Sequence, residues 1–214
     1  MNERVLITGG EGDLAAAIAD TFREAGFDVR NPGRRELDVS SPESVSEYFS
    51  SAAPIDLLIA NAGCAENGLL ARTTESAWDR QLEINLHGAF RCARAALRPM
   101  LKQRRGHLIF LSSYSAIHPP AGQAAYASAK AGLLGLSKSL AQEVGPANIR
   151  SNVILPGFLE TKMTRDLPQA RREQVLRDHR LLRFNTPEAT AEFILHLHRS
   201  MPHTSGQSFQ LDSR

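Results

Sequence analysis

Along the chain, short apolar runs alternate with longer stretches of mixed apolar and polar positions, the order expected of a doubly wound parallel sheet with helices between its strands. The runs predict strands near residues 3–8, 27–31, 35–38, 55–60, 106–112, 149–155 and 207–211. The stretches between them predict helices near 13–25, 42–51, 76–103, 123–145 and 187–199. One connection departs from the scheme. Arg30 to Asp38 is too short to hold a crossover helix between the second and third strands, which usually takes about a dozen residues or more. The expected fold is therefore a single α/β domain over residues 1–214, a Rossmann-type sheet of about seven strands with its second crossover shortened. Ser41-Pro42-Glu43-Ser44 marks a helix start, with a hydroxyl at the N-cap and proline at the first helical position. Gly132 and Gly135 fall inside the predicted helix 123–145, each costing about 1 kcal/mol against alanine. That cost is explicable if another backbone passes close by, either in the chain's own sheet or in another subunit.

Composition narrows the function classes. A chain of 214 residues without a Pro/Ser-rich linker or a break in composition suffices for one domain with a sizeable core. The start Met1-Asn2-Glu3-Arg4 leads into only a short apolar strand, and no run approaches membrane-spanning length, which predicts a cytoplasmic protein. Cys64 and Cys92 suit a reducing compartment and read as small hydrophobes. The net charge of +2 is spread along the chain and argues against a nucleic-acid partner. His118, His179, His196, His198 and His203 show no ligand spacing, so no metal is expected.

Two constellations carry chemistry. Val5-Leu6-Ile7-Thr8-Gly9-Gly10-Glu11-Gly12-Asp13-Leu14-Ala15 is an apolar strand entering a glycine turn and then a helix. Glycines there let the backbone approach a pyrophosphate, which the helix N-terminus attracts through its unpaired N–H groups and dipole. Further on, Tyr126 and Lys130 stand four residues apart, on one helix face, thirteen residues and more after Ser113. An ammonium beside a phenol favours phenolate, and the expectation is that Lys130 lowers the Tyr126 pKa from about 10 and makes it an acid/base near neutral pH.

With these motifs in place, the chain resembles the short-chain dehydrogenase/reductase family over nearly its whole length. The likeness rests on Thr8-Gly9-x-x-Gly12, Asn61-Ala62-Gly63, Asn85 in Ile84-Asn85-Leu86, Ser112-Ser113, Tyr126-x-x-x-Lys130 and Pro156-Gly157-x-x-x-Thr161, in that order. Leu70-x-Arg72, Trp78 and Asn85-Leu86-x-Gly88-x-Phe90 look most like the 3-oxoacyl-acyl-carrier-protein reductases. The resemblance implies that Tyr126 is the acid that protonates a carbonyl oxygen and that Lys130 tunes it and holds the nicotinamide ribose. It implies that Ser113 hydrogen-bonds the substrate oxygen and that Asn85 orders a water leading from Lys130 to solvent. It also implies a homodimer or homotetramer, with the helix carrying Tyr126 paired with its copy.

For the cofactor, the resemblance implies contacts from Thr8, Gly9, Gly12, Asp13 and Leu14 in the first turn, from Asp38 and Val39 at the adenine, and from Asn61, Ala62 and Gly63 along the chain's close approach. Pro156, Gly157 and Thr161 would approach the nicotinamide carboxamide. Asp13 stands where relatives carry a glycine; it either caps the helix or repels the pyrophosphate, and capping is the favoured reading. The position that is acidic in NAD users is Gly33, followed by Arg34-Arg35, so NADP(H) is expected, with NAD(H) as the alternative because Glu11 would oppose a phosphate. For an acyl-carrier-protein partner, Arg104 stands at one docking position of the relatives, but Ala147 at the other. In relatives the stretch from Phe158 to Pro187 forms a substrate lid. The expected activity is NADP(H)-dependent reduction of a ketone to a secondary alcohol, with a 3-oxoacyl thioester ahead of other small carbonyl compounds. A non-catalytic cofactor sensor on the same fold is the alternative from another class.

Overall fold

In the computed structural model, which describes residues 2–165 and 167–214, six parallel strands lie in the order β2-β1-β3-β4-β5-β6. They are β1 (Arg4–Ile7), β2 (Asp28–Arg30), β3 (Leu57–Ala60), β4 (Gly106–Leu111), β5 (Ile149–Leu155) and β6 (Ser208–Gln210). The register aligns Val5 with Leu57, Leu57 with His107 and Gly106 with Ile149. Successive side chains of a strand point to opposite faces, so each central strand feeds two cores. Leu6, Leu58, Leu108, Phe110 and Val153 pack under α2 (Pro42–Ser51), α4 (Gly88–Gln103) and α5 (Ala124–Val144). Val5, Ile7, Leu57, Ile59, Ile109 and Ile154 pack under α1 (Asp13–Glu24) and α8 (Pro187–Ser200). Buried on both faces, these strands read in sequence as unbroken apolar runs.

The strand expected at 35–38 is absent among the described residues, leaving six strands where about seven were expected. Gly33 O accepts from Glu36 N at 3.1 Å and Leu37 N at 3.0 Å, and the Asp38 carboxylate accepts from Ser40 N at 2.9 Å and Ser40 Oγ at 2.5 Å. These local bonds close a turn and consume the groups a strand would offer its neighbour. Leu37, the apolar residue behind that expectation, is a single core anchor buried in the first cluster.

The helix expected over 76–103 is divided. It begins as α3 (Glu75–Leu82), widens into a π-helical turn over Glu83–His87 and continues as α4. Thr74 caps α3, its hydroxyl accepting from Ala77 N at 3.2 Å. Gly132 is explained inside the chain, because a Cβ there would lie 2.9 Å from Leu86 Cδ2. Gly135 faces open space, with nothing within 4 Å of an added Cβ. Two helices in the lid stretch had no counterpart in the sequence reading, α6 (Lys162–Arg165) and α7 (Gln169–Asp178).

Chain direction fixes where a ligand can enter. From β1 the chain passes to β2 on one side of it and then to β3 on the other, so the loops leaving β1 and β3 diverge at their C-terminal ends. Such a switch point opens a crevice.

Candidate active site

The crevice is a cleft of ≈ 1470 Å³ running from the β1–α1 turn, past the ends of β3 and β4, to the loop after β5. At its first end Gly9, with φ +73°, admits no side chain, since a Cβ would lie 2.8 Å from Ala62 Cα. Gly10 is pressed against the end of β2, where a Cβ would meet Asn31 O at 1.9 Å. Gly12 differs. Its added Cβ would meet nothing nearer than Gly9 O at 3.5 Å, it lines the cleft, and as N-cap of α1 it supplies no side-chain acceptor to the helix. The first N–H groups of α1 are therefore without a side-chain cap at the cleft wall.

Thr8 does not line the cleft. It is buried, and its hydroxyl accepts from Asn61 N at 3.1 Å and Ala62 N at 3.0 Å, tying the end of β3 to the end of β1. Asn61, Ala62 and Gly63 themselves form cleft wall, as do Leu14, Asp38 and Val39. Arg34 also lines it, its Nε donating to Asp38 Oδ2 at 3.0 Å; burial raises the Asp38 carboxyl, but the Ser40 bonds and then Arg34 outweigh it and hold the group below its usual range. Glu11 is folded against Gly33, where a Cβ would lie 2.9 Å from Glu11 Oε1.

Asp13 is not a cap. The cap position belongs to Gly12, and the Asp13 carboxylate reaches across the cleft to accept from Lys162 N at 2.6 Å, with Lys162 Nζ at 3.6 Å. The sequence places Asp13 at the right helix end but not its partner, because the donor it accepts from is 149 residues away in the chain.

At the other end of the cleft Ser113, Tyr126 and Lys130 converge. Ser113 leaves β4 and its hydroxyl accepts from Ser115 N at 3.1 Å, which holds the following turn Tyr114–Ala116. Lys130 is buried, donates from Nζ to Leu111 O at 2.8 Å, and lies 5.8 Å from the centroid of the Tyr126 ring. Burial pulls the lysine down to about 8. The Tyr126 phenol is raised, not lowered: burial dominates, the Ser113 hydroxyl pulls the other way, and Cys64 adds to the rise. The expectation that Lys130 depresses it fails because withdrawing the phenol from water disfavours phenolate more than its neighbours favour it.

Asn85 sits in the π-helical turn, buried behind the wall. Its Nδ2 donates to Cys64 O and Gln81 O at 2.8 Å each, and its Oδ1 accepts from Cys64 N at 3.2 Å. A Cβ on Gly63 would touch both Asn85 Oδ1, at 2.7 Å, and Lys130 Nζ, at 3.3 Å, so Asn85 and Lys130 flank the same glycine.

Pro156, Gly157 and Thr161 line the cleft beyond β5. The sequence reading missed what holds that loop. Asn185 Nδ2 donates to Pro156 O at 2.8 Å and to Leu211 O at 2.9 Å, clamping the loop after β5 to the segment after β6. Asp212 packs on Gly157, and Arg214 lies over the Tyr114 ring with its Cζ 3.5 Å from the centroid.

Known proteins match this arrangement. The sequence profile of a family described as Enoyl-(Acyl carrier protein) reductase matches residues 4–213. The 3-oxoacyl-[acyl-carrier-protein] reductase of Chlamydia muridarum is 32% identical over 239 residues, covering 99% of this chain and 96% of the relative. The enzyme of that name from Aquifex aeolicus is 36% identical over 197 residues, covering 90% and 79%. Among solved structures, an oxidoreductase of the short chain dehydrogenase/reductase family from Burkholderia thailandensis superposes with a TM-score of 0.89 at 26% identity, over 100% of this chain and 92% of that one. Likeness of this extent, in sequence and in fold alike, settles the family: the chain belongs to the short-chain dehydrogenase/reductases and is an oxidoreductase.

Proposed function

We propose that residues 1–214 form one NADP(H)-binding reductase domain in which Tyr126 gives a proton to a carbonyl oxygen, so that a ketone becomes a secondary alcohol. The reading rests chiefly on the convergence of Ser113, Tyr126 and Lys130 at the end of a cleft whose other end is an uncapped helix N-terminus behind glycines. When bound, the nicotinamide cofactor supplies the hydride. The raised phenol is protonated at neutral pH, the form an acid needs for reduction. Ser113 orients the carbonyl oxygen and stabilises charge developing on it. Lys130 holds the nicotinamide ribose, and Asn85 positions a water between Lys130 and solvent. The α1 N-terminus, Gly9, Gly12 and Leu14 receive the pyrophosphate, with Asp38, Val39 and Asn61 to Gly63 at the adenosine and Pro156, Gly157 and Thr161 at the carboxamide.

Exposed Arg34, its terminal nitrogens clear of Asp38, supports a 2'-phosphate and hence NADP(H). One observation favours NAD(H): Glu11 sets a carboxylate at Gly33, the position from which an acid holds a ribose 2'-hydroxyl. Tighter binding of NADH than NADPH by the same preparation selects that second reading. For the substrate, the relatives' printed names support a 3-oxoacyl group carried on acyl carrier protein as a thioester; a cytoplasmic homo-oligomer completes the reading. Oxidation of NADPH by acetoacetyl thioester and a panel of small ketones, followed at 340 nm, tests the activity. Tyr126→Phe is expected to lower kcat about 100-fold or more with the fold unchanged; retention of full activity by that variant overturns the reading.

A further inference from the structure

Past Tyr126 the cleft wall carries four arginines, Arg171, Arg177, Arg180 and Arg214, among apolar residues such as Phe158, Leu167 and Val175. The segment after β6 turns back along the loop that follows β5, with Asp212 seated against Gly157. The Asp212 carboxylate is withdrawn from solvent and accepts from Arg214 Nε at 3.0 Å and Nη2 at 2.6 Å. That pairing holds the guanidinium flat on Tyr114, one residue after Ser113, and leaves Nη1 uncommitted to Asp212. Arg180 adjoins it, its backbone N–H donating to Ser213 O at 3.0 Å. Arg171 and Arg177 line the cleft from α7, and among the described residues neither Arg177 nor Arg180 pairs with a carboxylate. Of the acidic residues on the cleft wall, Glu11, Asp13 and Asp38 stand at the glycine-turn end, which leaves Asp178 alone against these arginines.

A cleft lined by one sign of charge concentrates ligands of the opposite sign. A neutral alkyl chain in this position would screen guanidinium groups from water and give them no acceptor, which is unfavourable. A carboxylate or phosphate matches their donor geometry. Tyr114 follows Ser113 directly in the chain, and Arg214, stacked on Tyr114, lines the same cleft as Ser113 and Tyr126. We propose that Arg214 and Arg180 receive an anionic group borne by the substrate itself, so that the compounds reduced are compact oxo acids or oxo phosphates and not neutral ketones. The inference rests on the carbonyl-reductase reading of Tyr126 and, within it, sets an anionic substrate against the neutral 3-oxoacyl thioester that the relatives' names support.

The test is calorimetric titration of the protein saturated with NADP⁺, so that binding is read apart from turnover. Acetoacetate presents a carboxylate, dihydroxyacetone phosphate a phosphate, and methyl acetoacetate neither. At least one anion is expected to bind about tenfold or more tightly than the ester, and which of them does so identifies the anion. Arg180→Gln is expected to weaken that anion about fivefold or more while changing the ester less than twofold. Arg214→Gln should do more, but it strands the Asp212 charge, so Arg180→Gln carries the test if that variant does not fold. An ester that binds as tightly as both anions overturns the proposal. So does an Arg180 variant that shifts ester and anion alike, or the failure of all three compounds to bind at millimolar concentration. NADPH oxidation by Tyr126→Phe is scored separately: if it persists, the reductase reading falls while the titrations still decide the anion site.

Discussion

Tyr126 and Lys130 display the distance between recognising a residue and knowing its state. The spacing Tyr-x-x-x-Lys predicts a shared helix face, and the side chains do meet, with Lys130 Nζ 5.8 Å from the phenol ring centroid. Their proton affinities depend on burial, which no local spacing encodes. Lys130 has a folded pKa of about 8 against an ordinary value of 10.5, so between those pH values the unfolded chain binds more protons than the native one. Unfolding free energy must then rise with pH across that window; below pH 8 the buried charge is a constant penalty. Urea titrations of the cofactor-free protein are expected to show it gaining up to about 3 kcal/mol on Lys130→Met between pH 7.5 and 10. Equal pH slopes for the two proteins would show that the lysine is not desolvated. The Tyr126 shift has the opposite consequence, a loss of stability that begins only above the ordinary phenol pKa of 10, so it does not enter this window. The glycines teach the same lesson: the motif marks Gly9 and Gly12 alike, yet Gly9 is required by Ala62 and Gly12 meets no such crowding.

At the scale of elements, legibility followed burial. The central strands were readable because both faces are covered, whereas α7 was not, having Val175 as its buried residue and polar groups on its remaining faces. The turn at 33–38 was misread because one buried leucine mimicked a strand. Long-range polar contacts lay beyond the sequence altogether, and the bond from Lys162 N to Asp13 is the clearest of them. It joins the glycine turn to α6 across the mouth of that end of the cleft. Because Lys162 offsets its charge, Asp13 should neither repel a pyrophosphate strongly nor stabilise α1 as a cap. Asp13→Ala is accordingly expected to change the Kd for NADPH less than about threefold, or about 0.65 kcal/mol. Its larger effect belongs to α6: amide exchange at Lys162 should quicken about tenfold as the acceptor is lost. A large gain in affinity with unchanged exchange would restore the repulsion reading.

For the whole molecule, the doubly wound parallel sheet followed from the strand pattern, but assembly requires a surface that only the folded chain presents. In α5 one glycine of the pair is spent internally, on Leu86, and the other is not. Gly135 lies in an exposed row with Ser128, Ala131 and Ser139, positions three and four residues apart that share one helix face. Small side chains along such a row let a second helix approach closely, and a two-fold axis would bring the same row of a second copy against it. The residue's cost within the helix, about 1 kcal/mol, is then offset in the assembled form. Sedimentation velocity at micromolar concentration is expected to find a dimer or tetramer. Gly135→Arg, which meets no atom of its own chain within 4 Å at Cβ, should yield a monomer with unchanged circular dichroism. A wild-type chain that sediments as a monomer, or a variant that assembles as well as the wild type, would place the partner surface elsewhere and leave Gly135 without a structural reason.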